Sequence, residues 1–168
     1  MTSGIRIEKL TRGHGLEGFD CGKPPLNGFL VQHALQSQQA RASQTYLALR
    51  DDTVLGYYTL VFGHVAFDDA PERLKKGVAR HPVPLMILVR LAVSVTAMGQ
   101  GLGGGLLRDA MLRTLQAADI AGLRAFAVHA KDDEARRFYE HFDFIAFPVD
   151  PMQLYLLLKD AKPSLAKR

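Results

Sequence analysis

Two spacings of apolar residues alternate along this chain, one typical of strands and the other typical of helices. Short alternating or continuous apolar runs predict strands in the segments 5–10, 44–49, 54–64, 84–95, 122–130, 144–147 and 154–158. Helical spacing of apolar residues occurs in the segments 25–39, 102–118 and 132–142. The resulting order, β-α-β-β-β-α-β-α-β-β, predicts a single domain over residues 1–168 that ends in a basic tail at 161–168.

The fourth predicted strand runs directly into a glycine-rich turn and then a helix. Leu91, Val93 and Val95 alternate with smaller or polar residues, and five glycines follow between positions 99 and 105. Glycine lets the backbone adopt positive φ and lets a ligand approach without meeting a Cβ. The first turn of a helix presents unpaired N–H groups and the positive end of the helix dipole. This junction therefore predicts a cradle for a phosphate or pyrophosphate.

Two familiar phosphate-binding motifs fit this junction poorly. A Walker loop ends in Gly-Lys-Ser/Thr, and no lysine follows the glycines here. Gly99, Gly101 and Gly104 have the spacing of a dinucleotide fingerprint, with Asp119 at a suitable distance. That motif belongs to a first βα unit, whereas this strand comes after half of the chain. The structural alternative is a turn that only lets strand and helix pack closely.

Composition narrows the class of protein. A chain of 168 residues with 48% hydrophobic residues is long enough for one substantial core. The net charge of +4 favours contact with a polyanion. Cys21 is the only cysteine, which excludes an intramolecular disulfide and fits a reducing cytosol. Without a signal pattern or an apolar run of membrane-spanning length, we expect a soluble cytoplasmic protein with no membrane contact.

Other candidate chemistry is less specific. Segment 67–82 is polar and irregular and holds the densest basic cluster, which indicates either a solvated loop or a contact face for an acidic partner. The six histidines lack zinc spacing, so we expect no metal site. Cys21 lacks the His-plus-Asp pattern of an activated nucleophile. His129 ends a predicted strand and is a candidate site residue.

Several stretches together resemble the GNAT superfamily of acyl-CoA-dependent N-acetyltransferases. They are residues 90–107, residues 128–139 and Phe142-Asp143-Phe144. Four stretches are similar to the toxin branch of that superfamily: Phe19-Asp20-Cys21-Gly22, Leu26-Asn27-Gly28-Phe29-Leu30, Gly56-Tyr57-Tyr58 and Arg90-Leu91-Ala92-Val93. The resemblance covers nearly the full chain and implies the α/β (α+β) GNAT fold. That fold has a mixed central sheet of about six to seven strands flanked by helices, and a splay between strands holds acyl-CoA.

The resemblance implies acetyl-CoA as the cofactor. The family frame Gln/Arg-x-x-Gly-x-Gly/Ala falls on residues 98–103, with Met98 where Gln or Arg is usual, and the amides of this turn hold the CoA pyrophosphate. The backbone of the preceding strand pairs with the pantetheine arm. Asp132 stands where the family often has Asn, and either Asp132 or Asp133 is predicted to cap the helix that follows. Asp143 replaces the usual Gly, and Asp tolerates the left-handed backbone conformation expected there better than most residues. The implied cofactor-binding residues are Leu91, Ala92, Val93, Met98, Gly99, Gln100, Gly101, Leu102, Gly103, Gly104, Asp132 and Phe138.

Tyr139 is the catalytic residue that the resemblance implies. Periodicity alone places it on the apolar stripe of a helix, where aromatic residues usually belong to the core. In the family, the matching hydroxyl faces the CoA sulphur. A phenol, with a pKa of about 10, can protonate that sulphur as a general acid. Backbone N–H groups near Val93 are candidates for an oxyanion site, and the sequence shows no general base.

The toxin branch implies an enzyme that acetylates the α-amino group of aminoacyl-tRNA and so blocks translation. The implied partners are a ribbon-helix-helix antitoxin and a second copy of the chain in a homodimer. Two alternatives stay open: a GNAT that acetylates a small amine or a protein amino group, and a non-catalytic acyl-CoA-binding module. Arg136 fits a solvated helix face as well as a nucleic-acid contact. The candidate tRNA contacts are Arg73, Lys75, Lys76, Arg80, Arg90 and Arg136.

Overall fold

The computed structural model describes residues 4–161 and residue 165. The strands in this part of the chain are β1 (Ile5–Lys9), β2 (Gln44–Arg50), β3 (Thr53–Val65), β4 (Val83–Val93), β5 (Ala125–His129), β6 (Ile145–Ala146) and β7 (Gln153–Leu157). The helices there are α1 (Pro24–Gly28), α2 (Ala34–Gln39), α3 (Glu72–Lys75), α4 (Leu102–Ala118) and α5 (Asp133–His141). Of the predicted tail at 161–168, only Ala161 and Leu165 are described, and the rest of that prediction lies outside the described residues.

A seven-stranded sheet holds these strands in the order β1-β2-β3-β4-β5-β7-β6. The β4–β5 pair is parallel, whereas β1–β2, β2–β3, β5–β7 and β6–β7 are antiparallel. A parallel pair needs a crossover connection, and α4 supplies it between β4 and β5. This mixed sheet with its helices confirms the predicted fold class. The proposed splay of β4 from β5 stays a prediction.

Three predicted elements differ from the structure. The predicted helix 25–39 is interrupted, because the carbonyl of Phe29 accepts from the N–H of Ala34 and widens one turn into a π-helical turn, Phe29–His33. The predicted strand 84–95 ends at Val93, since the Ser94 hydroxyl accepts from the N–H of Thr96 and starts a 3-10 turn. The segment 67–82, predicted to be irregular, contains α3.

Two compact units divide the chain, and β3, β4 and α4 contribute residues to both. The first unit comprises residues up to 61 together with Val89–Ala110. The second comprises Phe62–Leu88 and the residues from 111 onward. In the first unit, apolar residues of α1, α2 and the adjoining strands form one core cluster: Leu10, Phe19, Cys21, Leu30, Ala34, Leu47, Leu49, Val54, Tyr57 and Ala92.

Gly56 permits an unusually close approach of backbone within the first unit. A Cβ at Gly56 would lie 2.8 Å from the carbonyl oxygen of Ala92 and 3.0 Å from the Leu106 side chain. A bulge accompanies this approach, since Ala48 pairs with Gly56 while the next residue of β2 pairs with Val54. The carbonyl of the intervening Leu55 accepts from the N–H of Ser94 at 2.8 Å. The end of β4 is therefore fixed by contacts that only glycine allows.

Arg124 holds the short helix α3 in the second unit. Its guanidinium donates to the carbonyl oxygens of Leu74, Arg73 and Lys76 at distances of 2.9 to 3.2 Å. A cation at the C-terminus of a helix satisfies carbonyls that have no partner within the helix. Leu74 is fully buried in the core of this unit, with Val83, Leu85, Ala125, Ala127, Phe147, Tyr155 and Leu157. A four-residue helix is stable here because a distant side chain caps it.

The contact at Gly56 generates a prediction about stability. We expect Gly56→Ala to lower the free energy of unfolding by about 1–3 kcal/mol, because the added methyl group must displace the Ala92 carbonyl. Gly105→Ala is the matched control, since a Cβ there meets no atom within 4 Å and alanine is the better helix former by about 1 kcal/mol. Urea unfolding of both variants measures the difference. Equal stabilities would show that the approach at Gly56 carries no constraint.

Candidate active site

The turn between β4 and α4 has the backbone conformation of a ligand cradle. Gly99 has φ of 79° and Gly101 has φ of 81°, both in the left-handed region that glycine adopts without strain. A Cβ at either position would meet no atom within 4 Å. The glycines are therefore needed for the path of the backbone, and the space outside the turn is open to a ligand.

The first turn of α4 provides hydrogen-bond donors beside this cradle. The N–H of Gly105 bonds to the carbonyl of Gly101 at 3.1 Å and so closes the first helical turn. The N–H groups of residues 102–104 precede that bond and lie at the positive end of a 17-residue helix. Leu102 and Leu106 are buried and anchor this end. The residues present therefore fit a pyrophosphate group.

Met98 stands at the start of the turn and is 51% exposed. A thioether is only a weak hydrogen-bond acceptor and has no donor for a phosphate. The glycine backbone and the α4 N-terminus therefore provide the anion contacts without help from this side chain. Of the other predicted cofactor residues in this unit, Ala92 is buried and Leu91, Val93, Gly103 and Gly104 are half-buried.

A network around Asp20 ties the loop before α1 to the turn after β4. The Asp20 carboxylate accepts from the N–H of Gly22 at 2.8 Å and from the Asn27 amide at 3.1 Å. These bonds hold the pKa of the Asp20 carboxyl below its usual value. Asn27 Oδ1 in turn accepts from the N–H of Cys21, and the Asp20 carbonyl accepts from the N–H of Val95. Cys21 is buried, with 3% of its surface exposed.

Tyr139 lies in the second unit, on α5, with its ring packed between aromatic neighbours. Phe138 and Phe144 contact it edge-on, with ring centroids 5.2 Å and 5.6 Å away. Its carbonyl accepts from the N–H groups of Phe142 and Phe144. Phe138, a predicted cofactor residue, is half-buried beside it. Tyr139 is thus both the core residue that periodicity indicates and a rigidly held phenol.

The Tyr139 hydroxyl is chemically available. It makes no hydrogen bond within residues 4–161 and 165. Tyr57, by contrast, donates to the carbonyl of Leu26 at 2.7 Å, and Tyr58 donates to Asp109 at 2.6 Å. Burial raises the pKa of Tyr139 above its usual value, because the charged phenolate is poorly solvated there. The hydroxyl is protonated at neutral pH, as an ordinary phenol is, and no acceptor within the described residues takes its proton.

Asp132 has a structural role at the start of α5. Its carboxylate accepts from the N–H of Ala135 at 2.8 Å, which is N-cap geometry. This confirms the predicted cap and chooses Asp132 over Asp133. At the other end of α5, Asp143 has φ of 74°, as predicted for the position where the family usually has glycine.

Most of the basic residues predicted to contact tRNA are already paired with carboxylates. Arg73 lies 3.0 Å from Asp160, Lys75 lies 3.7 Å from Glu72, and Arg136 lies 3.5 Å from Asp133. Arg80 pairs with Asp68. Lys76 and Arg90 have no such partner among the described residues. The basic cluster at 67–82 is therefore weaker as an anion site than its sequence indicates.

The predicted site residues separate into two groups by unit. The first unit brings together the end of β4, the glycine turn and the start of α4, and Arg90 lies on the same strand. The second unit holds Asp132, Phe138 and Tyr139 on or beside α5. Phe29 and Tyr57 were not among the predicted site residues, although both lie in stretches that carry the family resemblance. The aromatic residues of those stretches are the feature that could have indicated them.

The described residues contain neither a metal site nor a membrane-spanning helix. No group of three or more His, Cys, Asp or Glu side chains within residues 4–161 and 165 could hold a metal ion. No helix in that same part of the chain has the length and apolar character needed to cross a membrane.

The buried tyrosines generate a prediction about alkaline pH. Burial raises the pKa of Tyr57 and Tyr139, so the native state holds these protons more tightly than the unfolded chain, whose tyrosines titrate near about pH 10. Their stabilisation is complete below about pH 10 and is lost as the pH rises further. We expect Tyr139→Phe to make this alkaline fall in the free energy of urea unfolding shallower. An unchanged slope would contradict the role of burial.

The cap at Asp132 generates a second prediction. Asp132→Ala removes the acceptor for the Ala135 N–H and should lower the free energy of unfolding by about 1 kcal/mol. Asp132→Asn keeps an acceptor oxygen and restores the residue frequent in the family, so we expect stability and acetyl-CoA affinity close to those of the unmodified protein. Urea unfolding and calorimetric titration measure these quantities. Equal destabilisation by both substitutions would exclude the cap as the reason.

Comparison with known proteins agrees with this geometry. The family model described as Acetyltransferase (GNAT) family matches residues 19–144. The chain is similar to the tRNA-acetylating toxin of Mycobacterium tuberculosis, with 45% identity over 154 residues and 92% of each chain covered. It is also similar to solved structures of a GNAT toxin, AtaT. AtaT complexed with acetyl-methionyl-tRNAfMet gives a TM-score of 0.87 at 29% identity, over 95% of this chain and 98% of that chain.

A second AtaT structure contains a mutant toxin bound to the C-terminus of the antitoxin AtaR and to acetyl-CoA. It gives a TM-score of 0.80 at 28% identity, over 95% of this chain and 96% of that chain. The family match includes the glycine turn of the first unit and the β5 strand and Tyr139 helix of the second unit. This chain therefore belongs to the GNAT family of acetyltransferases.

Proposed function

We propose that this protein is a cytoplasmic toxin that transfers an acetyl group from acetyl-CoA to the α-amino group of aminoacyl-tRNA. An acetylated amine cannot form the next peptide bond, so translation stops. The observation that carries this assignment is the 45% identity to a tRNA-acetylating toxin over 92% of both chains. Two features add support: the glycine turn of the first unit fits a pyrophosphate, and the Tyr139 phenol of the second unit has no hydrogen-bond partner among the described residues.

The first unit contains the residues that would hold acetyl-CoA. We assign the pyrophosphate to the open turn at Gly99 and Gly101 and to the N–H groups that begin α4. The pantetheine arm is assigned to the backbone of residues 91–93. When bound, acetyl-CoA supplies an acetyl group already activated as a thioester. The turn and the helix then bind and orient the cofactor through backbone groups, so the exposed Met98 side chain is not required.

In this proposal, Tyr139 donates its proton to the sulphur atom of the leaving CoA. An ordinary phenol is neutral at physiological pH, and the absence of a partner within the described residues leaves its proton free for transfer. Phe138 and Phe144 pack edge-on against the ring and hold it in place. A strong general base is not needed, because the ammonium group of an aminoacyl ester is relatively acidic. Backbone N–H groups near Val93 are assigned to the developing oxyanion.

The partners of this toxin follow from the same family branch. We propose a small antitoxin of ribbon-helix-helix type and a homodimer of the toxin chain. The structure of AtaT with the C-terminus of AtaR supports an antitoxin as the class of partner. Acetyl-methionyl-tRNAfMet in the other AtaT structure supports charged tRNA as the acceptor.

The central test is acetyl transfer to charged tRNA. We expect purified protein to transfer label from radioactive acetyl-CoA to total charged tRNA, and identification of the acetylated amino acid would then give the specificity. Tyr139→Phe should lower the transfer rate by about 10²–10⁴-fold, the usual contribution of a general acid. Tyr155→Phe is the matched control, because it also removes the hydroxyl of a buried tyrosine that has no hydrogen-bond partner among the described residues, but it lies on β7 against Phe147.

Growth provides an independent measurement. Expression of the protein alone should arrest growth, and Tyr139→Phe should relieve the arrest at equal protein levels. Healthy cells that contain folded wild-type protein would contradict the toxin assignment. Acetyl-CoA binding without transfer to any acceptor would contradict the enzymatic assignment.

A further inference from the structure

Arg90 differs from the other cations that are predicted to contact tRNA, because its guanidinium packs on an aromatic ring and pairs with no carboxylate among the described residues. Its guanidinium carbon lies 3.5 Å from the centroid of the Phe29 ring, which places the flat group directly over the ring. This pair is called the Arg90–Phe29 stack below. Stacking uses one face of the guanidinium and leaves the N–H donors at its edge available.

The ring that carries Arg90 is held firmly. Phe29 stacks on Tyr57 with the two planes 20° apart, and Tyr57 is fully buried and hydrogen-bonded to the carbonyl of Leu26. Phe29 also begins the π-helical turn Phe29–His33. Such turns are rare and frequently occur at functional sites. The Arg90–Phe29 stack is therefore pre-organised, and little side-chain entropy remains to be lost on binding.

No carboxylate among the described residues neutralises the charge of Arg90. Among residues 4–161 and 165, no carboxylate or hydrogen-bond acceptor pairs with its guanidinium. Arg73, Lys75, Arg80 and Arg136 all have carboxylate partners. A half-buried cation without an anion partner is costly to maintain. An anionic group of a bound ligand would neutralise the charge of Arg90.

A phosphodiester is the anion that best matches this geometry. The planar fork of a guanidinium binds two phosphate oxygens at once, and arginine beside an aromatic ring is typical of contacts to single-stranded nucleic acid. Arg90 directly precedes residues 91–93, which are assigned to the acyl-CoA arm. The amino acid of a charged tRNA is esterified to a single-stranded 3′ end, so a backbone phosphate must lie near the amine that reacts.

We propose that Arg90, held flat on Phe29, binds a backbone phosphate of the single-stranded 3′ end of the acceptor tRNA and so positions the aminoacyl group. This proposal rests on the proposed function, since it needs charged tRNA as the substrate. The paired cations of segment 67–82 then contribute less to affinity than Arg90 alone.

The test is the salt dependence of kcat/KM for charged tRNA in the intact protein. Each phosphate contact to a single strand contributes about 0.7 to the negative slope of log(kcat/KM) against log[salt]. Arg90→Gln should reduce the magnitude of that slope by about 0.7 and lower kcat/KM at low salt by about tenfold. Arg12→Gln is the matched control, because it removes an exposed, unpaired arginine that is not among the predicted tRNA contacts, and its slope should stay at the wild-type value.

Two further variants separate the charge from its placement. Arg90→Lys keeps the charge but loses the fork, and Phe29→Leu keeps the arginine but loses the stacking ring. Both should retain the wild-type slope while kcat/KM falls by about two- to fivefold. These variants also decide the question if Arg90→Gln fails to fold, which urea unfolding would reveal. Wild-type kcat/KM in either of them would overturn the stack as the positioning element.

The outcomes for the two proposals are distinct. If the wild-type protein transfers no acetyl group to charged tRNA, the proposed function fails and this inference fails with it. If transfer occurs but Arg90→Gln keeps the wild-type slope, or Arg12→Gln loses as much slope as Arg90→Gln, the Arg90 contact alone is overturned. Loss of slope in Arg90→Gln but not in Arg12→Gln supports it.

Discussion

The approach of backbone to backbone at Gly56 is the contact on which the first unit depends. The Ala92 carbonyl lies 2.8 Å from the position that a Cβ would take, and Leu106 of α4 closes the same space. Because glycine tolerates this approach, the N–H of Ser94 reaches the carbonyl of Leu55, and β4 ends at a fixed point. The glycine turn follows directly. The glycine turn therefore obtains its position from strand packing and its shape from Gly99 and Gly101.

The candidate functional groups differ from similar side chains in the contacts that they already make. Tyr57 and Tyr58 use their hydroxyls for internal hydrogen bonds, whereas Tyr139 makes only ring contacts among the described residues. The same division holds among the cations, where Arg73 and its neighbours stabilise their own segment through carboxylates and Arg90 does not. Residue type alone does not separate these two classes. The difference is whether the fold has already satisfied the side chain.

Local signals in the sequence predicted much of the fold and of the candidate site. The order of the main strands and helices along the chain, the glycine turn, the Asp132 cap and the positive φ of Asp143 all follow from local sequence, and the structure confirms them. The features that the sequence did not predict depend on contacts between residues that lie far apart in the chain. α3 forms because Arg124 caps it across 50 positions of sequence. Likewise, the charge balance of segment 67–82 depends in part on Asp160. Periodicity carries no information about such contacts.

The Asp20 network also gives this protein an internal reporter. Its N–H contact to Asn27 keeps Cys21 inside the core, with 3% of its surface exposed. Because the chain has no other cysteine, any thiol reagent that reacts must do so at this one position. The rate of that reaction then measures how often the loop before α1 opens. The same network bonds to Val95, which directly precedes the glycine turn. Thiol labelling therefore reports on the dynamics of that turn without an introduced probe.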